Sequence, residues 1–166
     1  MTDGNGSGDS VVIERTFDAP VERVWQLSTD PEQFKEWYGP SGATITVADF
    51  DVRVGGIRKV CMEVETPAGA MVMWFVGRHV EVVEHQRLAY TEAMADEAGN
   101  TISPAQRGMP AEHPTMTEVR VQFAAEDGRT RMLMTHVGIP AGSPGEAGWS
   151  MAFDKLAAVI AASTAP

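Results

Sequence analysis

Six apolar residues near the C-terminus, Trp149, Ala152, Phe153, Leu156, Val159 and Ile160, recur at spacings of three and four. That period places them on one stripe of a helix, and so apolar a stripe requires a second layer to cover it. The patterned segments between residues 43 and 137 have the other period, two. Thr117, Val119, Val121 and Phe123 alternate with Glu118, Arg120 and Gln122, which is the mark of a strand with one buried face. Short turns between successive strands make antiparallel pairs, and helices segregated from the strands make the class α+β.

The remaining elements are read from their punctuation. Val11–Phe17 is a β-branched first strand ended by Asp18-Ala19-Pro20. Pro20 suits a first helical position, and Val21, Val24, Trp25 and Leu27 share a face of a short helix. A second helix is predicted with Asp30 as cap, Pro31 at its first position and Gln33 completing a capping box. Phe34 and Trp37 share its face, and Gly39-Pro40 stops it. Strands follow at Ala43–Phe50, Ile57–Glu65, Ala70–Val83 and Arg87–Ala93, then around Thr117–Phe123 and at Thr130–Val137. Gly77 predicts a bulge or sharp bend. Ser143-Pro-Gly-Glu146 reads as a capping box opening a final helix of about five turns. Residues 94–114 break the rhythm, and a loop of that length suggests a lid or binding loop.

Composition narrows the function classes. The 166 residues suit one domain, expected over residues 10–166 behind a disordered, Gly- and Ser-rich tail at residues 1–9. Thirteen basic against 23 acidic residues give a net charge of −10 with no Lys/Arg cluster, which argues against nucleic acid and anionic membranes. The N-terminus lacks the pattern of a signal peptide, and no apolar run reaches the ~20 residues of a membrane span. With Cys61 as the single cysteine, no internal disulfide forms, and a reduced, cytoplasmic location is expected.

The element order, with the residues at its joints, resembles the START/Bet v 1-like helix-grip superfamily, and within it the activator-of-Hsp90-ATPase-homologue-like family. The resemblance spans residues 11–162. It rests on Phe17-Asp-Ala-Pro20, Val24-Trp25, Trp37-Tyr-Gly-Pro40, Asp51-Val-Arg53-Val-Gly55-Gly56, Gly77, Glu81-Val-Val83, Arg87-Leu88, Gly128-Arg-Thr130 and Gly148-Trp149. It implies a seven-stranded curved sheet wrapped on the C-terminal helix, with a cavity between them. Proteins of this kind resemble ligand binders, carriers, polyketide cyclases and co-chaperones, so the fold does not select one activity. Where the family usually carries an apolar residue after the paired glycines, this chain has Arg58. Sharing parity with Val60 and Met62, Arg58 is either a handle for an acidic ligand group or half of an intramolecular pair with a carboxylate on a neighbouring strand.

Catalytic signals are sparse. His79, His85, His113 and His136 form no metal-ligand spacing, and neither a G-x-S-x-G nor a phosphate loop occurs. No metal or cofactor is expected. Cys61, opposite in parity to Met62, reads as a packed small apolar side chain. His136 is the best acid–base candidate, but a partner for it, Tyr90 or Glu92, is only nominated. The apolar set is richer. Trp37, Tyr38, Val60, Met62, Phe75, Tyr90, Met132, Met134, Trp149 and Phe153 converge between sheet and helix, with Arg58 and His136 as polar members. Ten methionines add adaptable surface. The sequence therefore predicts a non-catalytic binder of a small hydrophobic or amphipathic ligand, with helix and 94–114 loop at its mouth. A co-chaperone of Hsp90 type ranks lower, since no domain for gripping a chaperone fits before Val11. A cyclase-like enzyme working in the same cavity is the third alternative. A homodimer stays open.

Overall fold

The computed structural model describes residues 10–103, 106 and 114–164. The elements run β1 (Ser10–Phe17), α1 (Val21–Thr29), α2 (Pro31–Phe34), β2 (Ala43–Phe50), β3 (Ile57–Thr66), β4 (Gly69–Val83), β5 (Arg87–Ala95), β6 (Met116–Glu126), β7 (Arg129–Val137) and α3 (Pro144–Thr164). The seven strands form one sheet in the order β1-β7-β6-β5-β4-β3-β2. Every pairing in it is antiparallel. Strands β2 to β7 are a meander, and β1 closes the order by pairing with β7 from Ser10↔Val137 to Phe17↔Thr130. The sheet is curled into a half-barrel with α3 in its hollow, the α+β helix-grip architecture the sequence predicts.

In β3, β5 and β7 the inward faces follow alternation. Val60 and Met62 of β3, Leu88 and Tyr90 of β5, and Met132 and Met134 of β7 join the α3 stripe in one core. Trp149, Ala152, Phe153, Leu156 and Ile160 are buried, and Val159 packs against them half-buried. The two short helices close the end of the hollow. Val24, Trp25 and Leu27 of α1 are buried, and the Trp37 indole N–H donates to the Leu27 carbonyl at 2.8 Å. Phe153 meets Phe17 edge-on at 6.2 Å and stacks on Trp37 at 6.2 Å. Cys61 lies on the other face, buried and opposite Trp74 in the register.

Several local expectations are corrected. Pro20 is the N-cap of α1, in extended conformation, rather than its first helical residue. Helix α2 is one turn long, so Trp37 lies beyond it. Asp30 caps α2 through the Glu32 N–H, and the Gln33 amide reaches the Asp30 side chain instead of its backbone. The Ser143 capping box does not form. Glu146 accepts from the Gly142 N–H at 2.7 Å, and the buried Ser143 Oγ has no hydrogen-bond partner. Met94 and Ala95 belong to β5 rather than to the loop. The tail at 1–9, His113 and much of the 94–114 loop lie outside the described residues. Among those that are described, no helix is long and apolar enough to cross a membrane.

The bulge in β4 falls at Val80, where the register to β5 shifts between His79 and Glu81, and not at Gly77. Gly77 marks a close approach instead. A Cβ there would overlap the backbone carbonyl oxygen of Thr91 on β5, an atom that cannot rotate away. Gly148, inside α3, is the contrasting case: an added Cβ would meet only Pro40 Cβ, at 4.0 Å. Gly77→Ala is therefore expected to cost about 1–3 kcal/mol, by forcing β4 and β5 apart. Gly148→Ala is expected to stabilise by about 0.4–1 kcal/mol, by restricting the unfolded chain. Urea unfolding of the two variants checks the opposite signs.

Candidate functional site

Alternation in β3 and β5 turns two charges inward. Arg58 shares the face of Val60 and Met62, and Glu92 that of Leu88, Tyr90 and Met94. In the register Arg58 stands opposite Gly77, and β5 lies on the far side of β4, with Val76 opposite Ala93. The Arg58 guanidinium reaches over β4 at Gly77, and its Nη1 meets Glu92 Oε2 at 3.4 Å. Arg58 is 4% exposed, so this partner is essential. Four rings complete the enclosure. The guanidinium carbon lies 3.8 Å from the Tyr90 centroid, 5.0 Å from Phe50, 5.2 Å from Phe34 and 5.8 Å from Tyr38. The face of each ring is negative, so each adds attraction in a desolvated setting. Of the two sequence readings of Arg58, the geometry is that of the intramolecular pair, with a carboxylate two strands away.

The second half of the site runs from Glu92 to α3. The Trp149 indole N–H, which can only donate, points at His136 Nδ1 at 2.9 Å. Nδ1 is therefore the acceptor, and the imidazole proton sits on Nε2, which donates to Thr117 Oγ1 at 2.8 Å. Thr117 Oγ1 in turn donates to the Glu92 carbonyl at 3.3 Å. His136 Nε2 also lies 4.0 Å from Glu92 Oε1. His136 thus has both ring nitrogens engaged, which fixes its tautomer and orientation.

Around this network the ionisation of the tyrosines is displaced. Burial pushes the Tyr90 hydroxyl up to about 12, with Arg58 opposing the rise and Glu92 adding to it. The Tyr38 ring is half-buried, yet its hydroxyl is enclosed. Burial, with Glu92 and Tyr90 adding to it, raises it well above the usual tyrosine value, against the pull of Arg58. The Lys155 ammonium donates to the carbonyls of Tyr38 at 3.2 Å and Pro40 at 3.3 Å, tying α3 to the loop before β2.

Where the first turn of α3 faces the sheet, the side chains do not fill the hollow. A cavity of about 470 Å³ opens there. Met73 and Phe75 of β4, Met94 of β5, Ile139 and Trp149 supply its apolar wall, and Glu92, Thr117, His136 and Ser143 its polar positions. Pro114 and Thr115, at the end of the long loop, stand at its edge. A second chamber of about 220 Å³ adjoins it and shares Phe75, Pro144, Gly145 and Trp149 with it. Tyr38, Met62 and Ala152 line this smaller space.

Of the residues nominated from sequence, Tyr38, Met62, Phe75, His136 and Trp149 border these chambers. Trp37, Val60, Tyr90, Met132, Met134 and Phe153 lie beneath them in solid core, and Arg58 sits behind Glu92. Met73, Met94 and Thr117, by contrast, line the cavity and were not nominated. The inward parity of Met73 and Thr117 was visible in the sequence, whereas Met94 fell in the segment read as a loop, and which inward residues border empty space was not readable. Among the described residues, no three His, Cys, Asp or Glu side chains gather as metal ligands.

Removing one member of the buried pair strands the other. Arg58→Met alone is expected to cost about 3–5 kcal/mol, whereas Arg58→Met combined with Glu92→Leu should recover most of that loss. A double-mutant cycle from urea unfolding measures both. The tyrosines predict alkaline behaviour. A hydroxyl whose folded value lies above its unfolded value of 10 contributes stability that is complete below pH 10 and lost as pH rises through about 12. The chain has only two tyrosines. Phenolate absorbance in an alkaline titration should therefore accompany unfolding rather than precede it.

Comparison with known proteins agrees with this architecture. A protein from Chromobacterium violaceum, solved by X-ray crystallography, is 26% identical, with 92% of this chain and 96% of that one covered at a TM-score of 0.73. A crystallised protein from Mycobacterium smegmatis is 25% identical over 92% of this chain and 90% of its own, at 0.71. A solution structure from Staphylococcus epidermidis, 20% identical, shares the fold across 100% of this chain and 97% of its own at 0.74. No functionally curated protein matches the chain significantly. The family model described as activator of Hsp90 ATPase homolog 1-like protein matches residues 18–161. With its curled sheet, gripped helix and that match across most of its length, the chain belongs to the activator of Hsp90 ATPase homolog 1-like family.

Proposed function

We propose that this protein binds a small hydrophobic or amphipathic molecule, without catalysis, in the cavity between β4, β5, β7 and the first turn of α3. The observation that carries the proposal is the cavity itself: about 470 Å³, walled mainly by apolar side chains with a few convergent polar groups. Small-molecule sites commonly occupy about 300–1,000 Å³ and have this composition. Methionine at positions 73 and 94 suits an adaptable wall, because an unbranched thioether can mould to different guests. The helix-grip fold of this family commonly holds hydrophobic ligands, which supports the same reading.

The arrangement of His136 favours binding over the cyclase alternative. A general acid or base needs a nitrogen turned toward substrate. Here Nδ1 accepts from Trp149 and Nε2 donates to Thr117. The cavity likewise favours ligand binding over the co-chaperone role.

The test must fill the chamber rather than the core. Met134 and Phe153 are 0% and 1% exposed, so Trp at either position would overpack the interior by about 1–3 kcal/mol and say nothing about the cavity. Met73 lines the space and is half-buried. Met73→Trp is expected to weaken binding of the neutral dye Nile red at least about tenfold, equivalent to 1.4 kcal/mol. The urea midpoint should stay close to that of the parent. Unchanged dye binding in a folded Met73→Trp variant would sink the assignment of this cavity.

A further inference from the structure

The cavity has an unusual polar inventory. Glu92 is 9% exposed and lines it, with Oε2 committed to Arg58. Among the described residues no hydrogen bond to Oε1 is formed, and His136 Nε2 lies 4.0 Å from it. Ser143 Oγ, buried in the same wall, also has no hydrogen-bond partner. A carboxylate oxygen facing an apolar space is costly unless a donor satisfies it. A guest entering that space has to supply the donor.

Charge narrows the class further. Arg58 and Glu92 sum to zero, and four aromatic rings and Glu92 itself screen the guanidinium from the cavity. A carboxylate guest would meet Glu92 Oε1 directly and gain no contact with Arg58. A cationic guest would have to be desolvated in a wall whose charge is already balanced. A neutral guest with a hydroxyl group meets neither cost.

The geometry points to an uncharged, hydroxyl-bearing apolar ligand whose O–H donates to Glu92 Oε1, with Ser143 Oγ within the same wall as a second polar contact. This assignment rests on the binding reading above and adds the chemistry of the head group. It reverses the sequence-based idea that Arg58 receives an acidic group, because Glu92 stands between Arg58 and the cavity.

The test compares three probes of equal chain length at neutral pH: 1-decanol, its methyl ether and decanoate, each displacing Nile red from the full chain. The ether keeps the oxygen as an acceptor but loses the donor. Decanoate replaces the donor by a charge. Decanol is expected to displace the dye at a concentration lower by at least about tenfold than either analogue, since hydrogen bonds to charged groups are among the stronger ones. In the double variant Arg58→Met/Glu92→Leu, which removes the acceptor without stranding a charge, the advantage of decanol over the ether should vanish. Equal displacement by ether and alcohol, or tighter binding of decanoate, overturns the head-group assignment while leaving the cavity reading intact. Failure of Nile red to bind the parent protein overturns both.

Discussion

A guanidinium sealed from water needs a counter-charge, and the arrangement of this fold follows from how Arg58 finds one. Arg58 and Glu92 belong to strands that are not neighbours, and β4 runs between them. Gly77 stands opposite Arg58, and a Cβ there would overlap the Thr91 carbonyl oxygen, so the glycine keeps β4 and β5 close where the pair crosses them. The rings around Arg58 come from α2, the loop after it, β2 and β5. One buried charge thus fixes the short helices, the far edge of the sheet and its middle in a single arrangement. A wrong register in β3 or β5 would leave a charge unpaired, at a cost large beside the 5–15 kcal/mol of a typical domain's stability.

From Glu92 the network continues into the helix. The Glu92 carbonyl, Thr117, His136 and the Trp149 indole make a chain of hydrogen bonds from β5 across β6 and β7 to α3. Arg15 of β1, which donates to Asp154 and Ser150 of α3, is a second directional tie between sheet and helix; the apolar contacts around both specify nearness but not rotation. The indole–imidazole bond fixes which face of α3 meets the sheet near its first turns.

The cavity has its own cause in residue size. Along α3 the inward positions Gly145, Gly148 and Ala152 flank Trp149 with little bulk, whereas Phe153, Leu156 and Ile160 are all large. The large residues meet Phe17, Val11 and Val24 in a filled core, while the small ones face Met73 and Phe75 across open space. Lys155 holds the Tyr38–Pro40 segment over the smaller chamber.

Much of this was legible from the amino-acid order. Ala43–Phe50 falls on its predicted bounds, and β3, β4 and β5 lie within a few residues of theirs, because alternating apolar residues and Gly or Pro turns are local signals. The inward parity of Arg58 with Val60, and of His136 with Met134, was equally readable. Ser143 shows the limit: its spacing to Glu146 matches a capping box, but Glu146 found the Gly142 N–H instead and left Ser143 Oγ in the cavity wall. Sequence by itself determined the class, the order of the elements and the faces within the regular strands and the α3 stripe, since these depend on periodicities of two and 3.6. Only the tertiary structure decided that Glu92 answers Arg58 across a glycine, that Trp149 sets the His136 tautomer, and that the empty space lies beside Met73 and Met94 rather than Met134 and Phe153. Register and packing depend on residues far apart in the chain, and no local pattern records what a side chain's neighbours leave unfilled.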